Sequence, residues 1–245
     1  RVFFRLIVLV LIGWAVYANY GSDVEDSTKT GPQVAVVDFK GVIDGDNKNY
    51  ATVIKGVTDA LKDKKTVAVL IRANSPGGSP VYSDILNNEL TRLRKLYPNK
   101  PIDFVVEEVC ASGCYYAAAA ADKIYAAPAS IVGSIGVIYN GFGFVDTIQK
   151  LGVTRRLQTA GSNKGFMDQF SPVNPAQQKT LQTMLDIIHQ QFISKVKEGR
   201  GKRLHIDNDT FSGLFWTGLQ AKERGLIDGL ASSGQLARDI IKIEE

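Results

Sequence analysis

Hydrophobic positions in this chain form short apolar runs that alternate with stretches of helical, 3.6-residue periodicity. Val34-Ala-Val-Val-Asp-Phe39 has the pattern of a buried strand, and Thr66-Val-Ala-Val-Leu-Ile71 is a near-continuous apolar run typical of an interior parallel strand. Ile102, Phe104, Val105 and Val106 mark a third strand, and Lys123–Ala127, Ile131–Tyr139 and Thr154–Gln158 predict three more. Between them, Tyr50–Lys64 reads as a helix with Ala51, Ile54, Val57 and Leu61 on one face. Val81–Leu96 reads as another, with Ile85, Leu86, Leu90, Leu93 and Leu96 inward, and Phe144–Leu151 as a short one closed by Gly152. Pro175 suits the first turn of a long helix whose apolar face carries Leu181, Met184, Leu185, Ile188, Phe192 and Val196. A helix at Gly218–Arg224, a Gly225 cap and a closing helix to about Lys242 complete the chain. Strands alternating with helices mean an α/β fold with a largely parallel sheet. No clear linker divides residues 33–245, which read as one domain.

The N-terminal pattern differs in kind. Arg1 and Arg5 precede a charge-free apolar run from Leu6 to Tyr20 which, with Val2–Phe4, approaches the ~20 residues that span a bilayer. Positive charge ahead of the span predicts a cytoplasmic N-terminus, with the bulk of the chain exported to the periplasmic or outer side. Residues 1–20 are thus expected to form a transmembrane anchor; a cleaved signal peptide ending near Ala18 is the alternative. Residues 21–32 form a polar linker. The formal charge of +4 is modest, and no stretch combines dense Lys/Arg with aromatics, so nucleic-acid binding has no support.

The chemistry concentrates at Glu108-Val-Cys-Ala-Ser-Gly-Cys-Tyr-Tyr116, where a strand runs into the helix-forming block Ala117–Ala121. Ser112 sits at that corner, the place where α/β enzymes often expose a nucleophilic serine. A serine needs a base to remove its proton. His189 reads as a helix-face residue and His205 as part of a charged loop, and they are the only two histidines. The remaining base is lysine, which acts only when its amine is neutral. Lowering a lysine pKa from about 10.4 to about 7–8 takes on the order of 4 kcal/mol of environmental work. Lys164, among Gly165, Phe166 and Met167, fits such surroundings better than the lysines on charged helical faces, with Asp168 counting mildly against it. Cys110 and Cys114 flank the serine; their spacing does not suit zinc, and they read as two small buried thiols, since a disulfide would strain the corner.

Several ordered features resemble the signal peptide peptidase A family, membrane-bound proteases with a Ser/Lys dyad. They are Asn74-Ser-Pro-Gly-Gly78, Ala111-Ser-Gly113 with its Tyr-Tyr-Ala continuation, Ala121-Asp-Lys-Ile124, Gly133-Ser-Ile-Gly-Val137, Lys164 and Gly225-Leu-Ile-Asp228. The match extends over roughly residues 34–230, with 22 positions from Ser112 to Ser134 and 52 from Ser112 to Lys164. The resemblance implies Ser112 as nucleophile, Lys164 as general base, Ser134 orienting the lysine amine, and an oxyanion hole from the amides of Gly78 and Gly113. It also implies a Clp-protease-like, crotonase-type fold of repeated ββα units and a homo-oligomeric ring or dome. Hydrophobic peptides such as released signal peptides are the implied substrates, with no metal or organic cofactor. Cys114 and Asn163 depart from the family's usual glycine and tyrosine at those places. Two rivals share the scaffold: an acyl-CoA enzyme, which needs a catalytic Glu or Asp, and a non-catalytic peptide-binding member.

Overall fold

The structure is a computed structural model that describes residues 31–46 and 48–241. The expected anchor at residues 1–20 and nearly all of the linker lie outside the described residues. Among the described residues no helix is long and apolar enough to cross a membrane.

The apolar runs become the central strands of a seven-stranded, mostly parallel sheet. β1 (Gln33–Lys40), β2 (Thr66–Ser75), β3 (Ile102–Ala111), β4 (Ile124–Ala126) and β7 (Gly229–Leu230) lie side by side in that order, all parallel. The continuous hydrophobicity of β2 follows from cover on both faces. Val69 and Ile71 enter the main core with Phe39, Val57, Leu86, Leu90 and Phe104, while Leu70 and Val105 pack on the other face with Leu236. The first face is covered by α1 (Asn49–Lys62) and α2 (Pro80–Leu96), and the second by α7 (Ser233–Ile241). The inward stripe of α1 is Val53, Val57 and Leu61, not one that includes Ala51, and Ile85 and Leu96 of α2 are exposed.

β3 changes partner along its length. Its first half pairs with β4, at Phe104–Val106. Its last three residues pair with β5 (Ile131–Gly133), which in turn carries the antiparallel β6 (Phe215–Thr217). β5 is far shorter than the expected Ile131–Tyr139 strand, because Gly133 and Ser134 both take positive φ (106° and 53°) and turn the chain out of the sheet. Thr154–Gln158 is likewise not a strand. It lies exposed, without a neighbour to pair with, in a segment whose one helix is α4 (Val145–Lys150). The long helix forms as α5 (Pro175–Arg200), its first turn capped by Asn174 accepting from the Ala176 and Gln177 amides. Only its second half reaches the core, through Phe192, Ile193 and Val196; Met184 is 52% exposed.

At the other end of β3 and β4, α5 delivers the buried Arg200 onto Asp228 (2.7 and 3.1 Å), and Arg203 joins the same carboxylate at 3.0 Å. Burial opposes the charge on Asp228, but the Arg200 hydrogen bonds and the Ile124 amide hold its carboxyl below the usual carboxylate range. Asp103 has less help. It is 6% exposed, accepts the Lys123 amide at 3.0 Å, and has no cation bonded to it. Burial first, then the nearby charge of Asp122, pushes its pKa up to about 6. Below the unfolded value near 3.8 both states hold the proton and nothing is lost; as pH rises from there to about 6 the unfolded chain gives up its proton first and stability falls, the loss being complete above about 6. Asp103→Asn keeps the acceptor oxygen and removes the charge. It is expected to gain roughly 1–2 kcal/mol at neutral pH and almost nothing near pH 3, measured by denaturant titration at both pH values.

Candidate active site

The corner between β3 and α3 (Gly113–Ala118) is a strained turn. Ser112 has φ 53° and ψ −124°, a backbone conformation that costs a non-glycine residue about 1–3 kcal/mol. Its amide donates to the Gly133 carbonyl at 2.8 Å, which ties the corner to β5. The Ser112 side chain does not cap the helix that follows, and its hydroxyl has no partner among the described residues. A serine in the N-cap position whose oxygen is left free is poised outward, as a nucleophile must be.

Two glycine amides converge on it. Gly113 is the first residue of α3, so its N–H has no acceptor inside the helix. In the Asn74-Ser-Pro-Gly-Gly78 turn, Ile43 N–H donates to Gly77 O and Ser79 N–H donates to Ile43 O, both at 2.8 Å, leaving the Gly78 N–H outside that bridge. The Gly78 nitrogen lies 3.2 Å from where a side chain on Gly113 would begin. Glycine is required here by space. A Cβ on Gly77 would sit 2.6 Å from the Gly113 nitrogen, and one on Gly113 would sit 2.3 Å from Ser83 Oγ.

Gly78, Ser112 and Gly113 line one cavity of about 100 Å³, closed by Pro80, Tyr116, Val137, Ile138, Ile188 and Phe192. Its wall is apolar. The Tyr116 ring packs on Phe192 with centroids 4.9 Å apart, while its hydroxyl donates to Asp84 at 2.8 Å. Burial, then that hydrogen bond, raises the Tyr116 pKa, so the phenol stays a neutral donor. No carboxylate lines the cavity, so the acid/base group an acyl-CoA enzyme needs is missing from it. Tyr116 belongs to the Tyr-Tyr-Ala stretch after Ser112, but Ile188 and Phe192 had no individual signal in the sequence beyond helical periodicity; tertiary packing alone brings α5 over the corner.

Of the other expected site residues, Ser134 follows directly on Gly133, whose carbonyl receives the Ser112 amide, and its own amide donates to Leu214 O at 2.8 Å. Lys164 is exposed and is not among the residues lining that cavity. It sits in a turn closed by its own amide donating to Gly161 O at 3.1 Å. Asp168, the carboxylate that counted against it, is committed elsewhere, to Arg155 at 3.1 Å and Ser171 at 2.6 Å, and those bonds hold its carboxyl below the usual range. His189 and His205 are not bases for Ser112. His189 Nε2 is 3.0 Å from the Ile135 carbonyl and His205 Nδ1 is 2.7 Å from the Glu223 carbonyl.

The cysteines correct the sequence expectation. Cys110 and Cys114 form a disulfide across the corner, with Cα atoms 5.1 Å apart and both residues fully buried. In extended chain four residues would separate them by about 13 Å. The sharp turn at Ser112 removes that distance, so the tight corner makes the bond reachable.

Residues 94–242 match the model of peptidase family S49. Among curated proteins, the chain is 46% identical over 179 residues to a protein of Brucella abortus named Na(+)/H(+) antiporter NhaA, covering 73% of this chain but 24% of that one. It is 31% identical to a candidate signal peptide peptidase SppA of Enterococcus faecium, over 81% of this chain and 56% of the relative. It is 30% identical to the chloroplastic serine protease SPPA of Arabidopsis thaliana, over 76% and 27% respectively. The chain therefore spans about a quarter of the Brucella protein, and the similarity is to that portion.

The glycine constraint is testable without reference to activity. At Gly78, φ is 151° and an added Cβ would lie 2.2 Å from the Ile43 carbonyl oxygen, whereas Gly143 has nothing within 4 Å. Gly78→Ala should lose roughly 2–4 kcal/mol, a fall in melting temperature of roughly 5–15 °C, while Gly143→Ala stays within about 1–2 °C.

Proposed function

The chain belongs to peptidase family S49, the family of the signal peptide peptidases A, and on that premise we propose that it is a serine endopeptidase with Ser112 as nucleophile and Lys164 as general base. The observation that carries this reading is the strained, unpartnered Ser112 set between the free amides of Gly78 and Gly113 in one apolar cavity. The neutral lysine amine takes the hydroxyl proton as Ser112 Oγ attacks the peptide carbonyl. The Gly78 and Gly113 amides receive the charge that develops on the carbonyl oxygen. Collapse of the tetrahedral intermediate expels the amine, which leaves with the proton from the lysine, and water then hydrolyses the ester. Ser134, beside the residue that anchors the corner, orients the lysine. The small apolar cavity suits an uncharged side chain and hence hydrophobic peptides, such as released signal peptides.

In this proposal the active enzyme is a homo-oligomer, a ring or dome. What supports it is that Lys164 lies exposed and outside the residues lining the Ser112 cavity, on a stretch that also exposes Phe142, Leu151 and Val153. Each lysine then serves the serine of a neighbouring copy. Residues 1–20 anchor the protein in the inner membrane with the catalytic domain outside the cytoplasm, and the fold is of the Clp-protease and crotonase type.

Ser112→Ala and Lys164→Ala are each expected to abolish peptide hydrolysis, with unchanged circular dichroism. Dissociated and co-assembled, the two inactive variants should recover about a quarter of wild-type activity, because random assortment pairs an intact serine with an intact lysine at one site in four. Wild-type turnover in Lys164→Ala would remove the dyad; no recovery on mixing would remove the sharing between copies.

A further inference from the structure

The bond joining Cys110 to Cys114 encloses Ala111, Ser112 and Gly113: the nucleophile and one donor of the oxyanion hole lie inside the short loop that it closes. Its two ends belong to different elements. Cys110 is in register with Ser75 of β2 and Val132 of β5, so it is fixed by two neighbouring strands. Cys114 lies in the first turn of α3, a helix of six residues. A helix so short has little stability of its own. The usual device for fixing its start, a side-chain cap, is absent because the N-cap residue is Ser112 and its oxygen is kept free.

From these facts we infer that the disulfide is a positioning clamp for catalysis: it holds the Ser112 hydroxyl and the Gly113 amide in register by tying α3 to the end of β3. The inference rests on the reading of Ser112 as nucleophile. The strain at Ser112 makes the clamp necessary. A corner at φ 53° and ψ −124° relaxes toward ordinary backbone unless its surroundings hold it. Relaxation of about 1 Å at a nucleophile is enough to lower turnover by about 100-fold. Both sulfurs are shielded from solvent, so the bond is set during folding and not exchanged in the native protein. A dithiol reductant acting on the unfolded chain breaks the S–S bond, leaves a thiol on each cysteine and is itself oxidised to a disulfide. The protein therefore depends on an oxidising compartment for activity, beyond any need for stability.

The test compares wild type, Cys110→Ala/Cys114→Ala and Ser112→Ala for kcat, KM and labelling rate with a fluorophosphonate, alongside circular dichroism. A second arm unfolds wild type in guanidinium with dithiothreitol and refolds it with or without oxidised glutathione. The clamp predicts a fall of about 10- to 100-fold in both kcat and labelling rate, KM within about two-fold, native circular dichroism, and recovery only in the oxidised refold. Wild-type kcat and labelling in the folded double variant, or in the reduced refold, would overturn it. So would failure of both to fold, which assigns the bond to the fold as a whole. Activity surviving in Ser112→Ala would instead sink the reading of Ser112 itself.

Discussion

A serine backbone held in the left-handed region, at φ 53°, is the constraint around which the upper half of this molecule is arranged. Nothing local favours that conformation; a residue with a Cβ avoids it unless its neighbours leave no alternative. Here the neighbours act from several directions. β5 receives the Ser112 amide, Gly77 passes so near that a Cβ on it would sit 2.6 Å from the Gly113 nitrogen, Ser83 of α2 fills the space beside Gly113, and the disulfide ties the two flanks together. The glycines at 77, 78 and 113 are consequences of that crowding. Each stands where any side chain would collide with backbone or with a fixed hydroxyl.

The change of partner along β3 gives the sheet two ends with different chemistry. Where β3 pairs with β4, ion pairs gather: the buried Arg200 and the exposed Arg203 on Asp228, and the half-buried Arg94 on Asp122. Removing Asp228 would leave the buried Arg200 guanidinium without its counter-charge, so that pair stabilises only as a unit. Where β3 pairs with β5, the strand ends in small residues and the cavity is apolar. The α5 helix belongs to both ends. Its C-terminal Arg200 is locked into the charged end, and that anchor sets where Ile188 and Phe192 fall over the serine, about three and two turns earlier.

Much of this was legible in the sequence because the physics is local. Apolar runs, turn residues and the strand-to-helix corner at Ser112 each follow from neighbours within a few positions. What was not legible depends on distance in space. Reading Cys110 and Cys114 as thiols assumed that a bond would strain the corner, whereas the corner's own turn brings the two Cα atoms to 5.1 Å. Thr154–Gln158 has strand composition but no partner edge, and a strand without a partner has no ladder to form. Met184 keeps helical register with Ile188 and yet stays exposed, since periodicity reports which face is apolar and not what covers it.

The position of Lys164 turns that last point into an argument about activation. A lysine serves as a base only where its surroundings disfavour the ammonium, through burial or a neighbouring cation. Within its own chain Lys164 is exposed, and the nearby carboxylate that would favour the charged form is already bound to Arg155. In the proposed mechanism the chain provides the oxyanion donors, the half of the site that electrostatics must stabilise, and leaves the proposed proton acceptor, Lys164, on an exposed segment. If burial of that segment comes from a second copy, docking delivers the amine to the serine and desolvates it in the same event. An unassembled subunit would then hold a formed nucleophile corner without a working base, and a protease able to cut exposed apolar peptides would be silent until its assembly is complete.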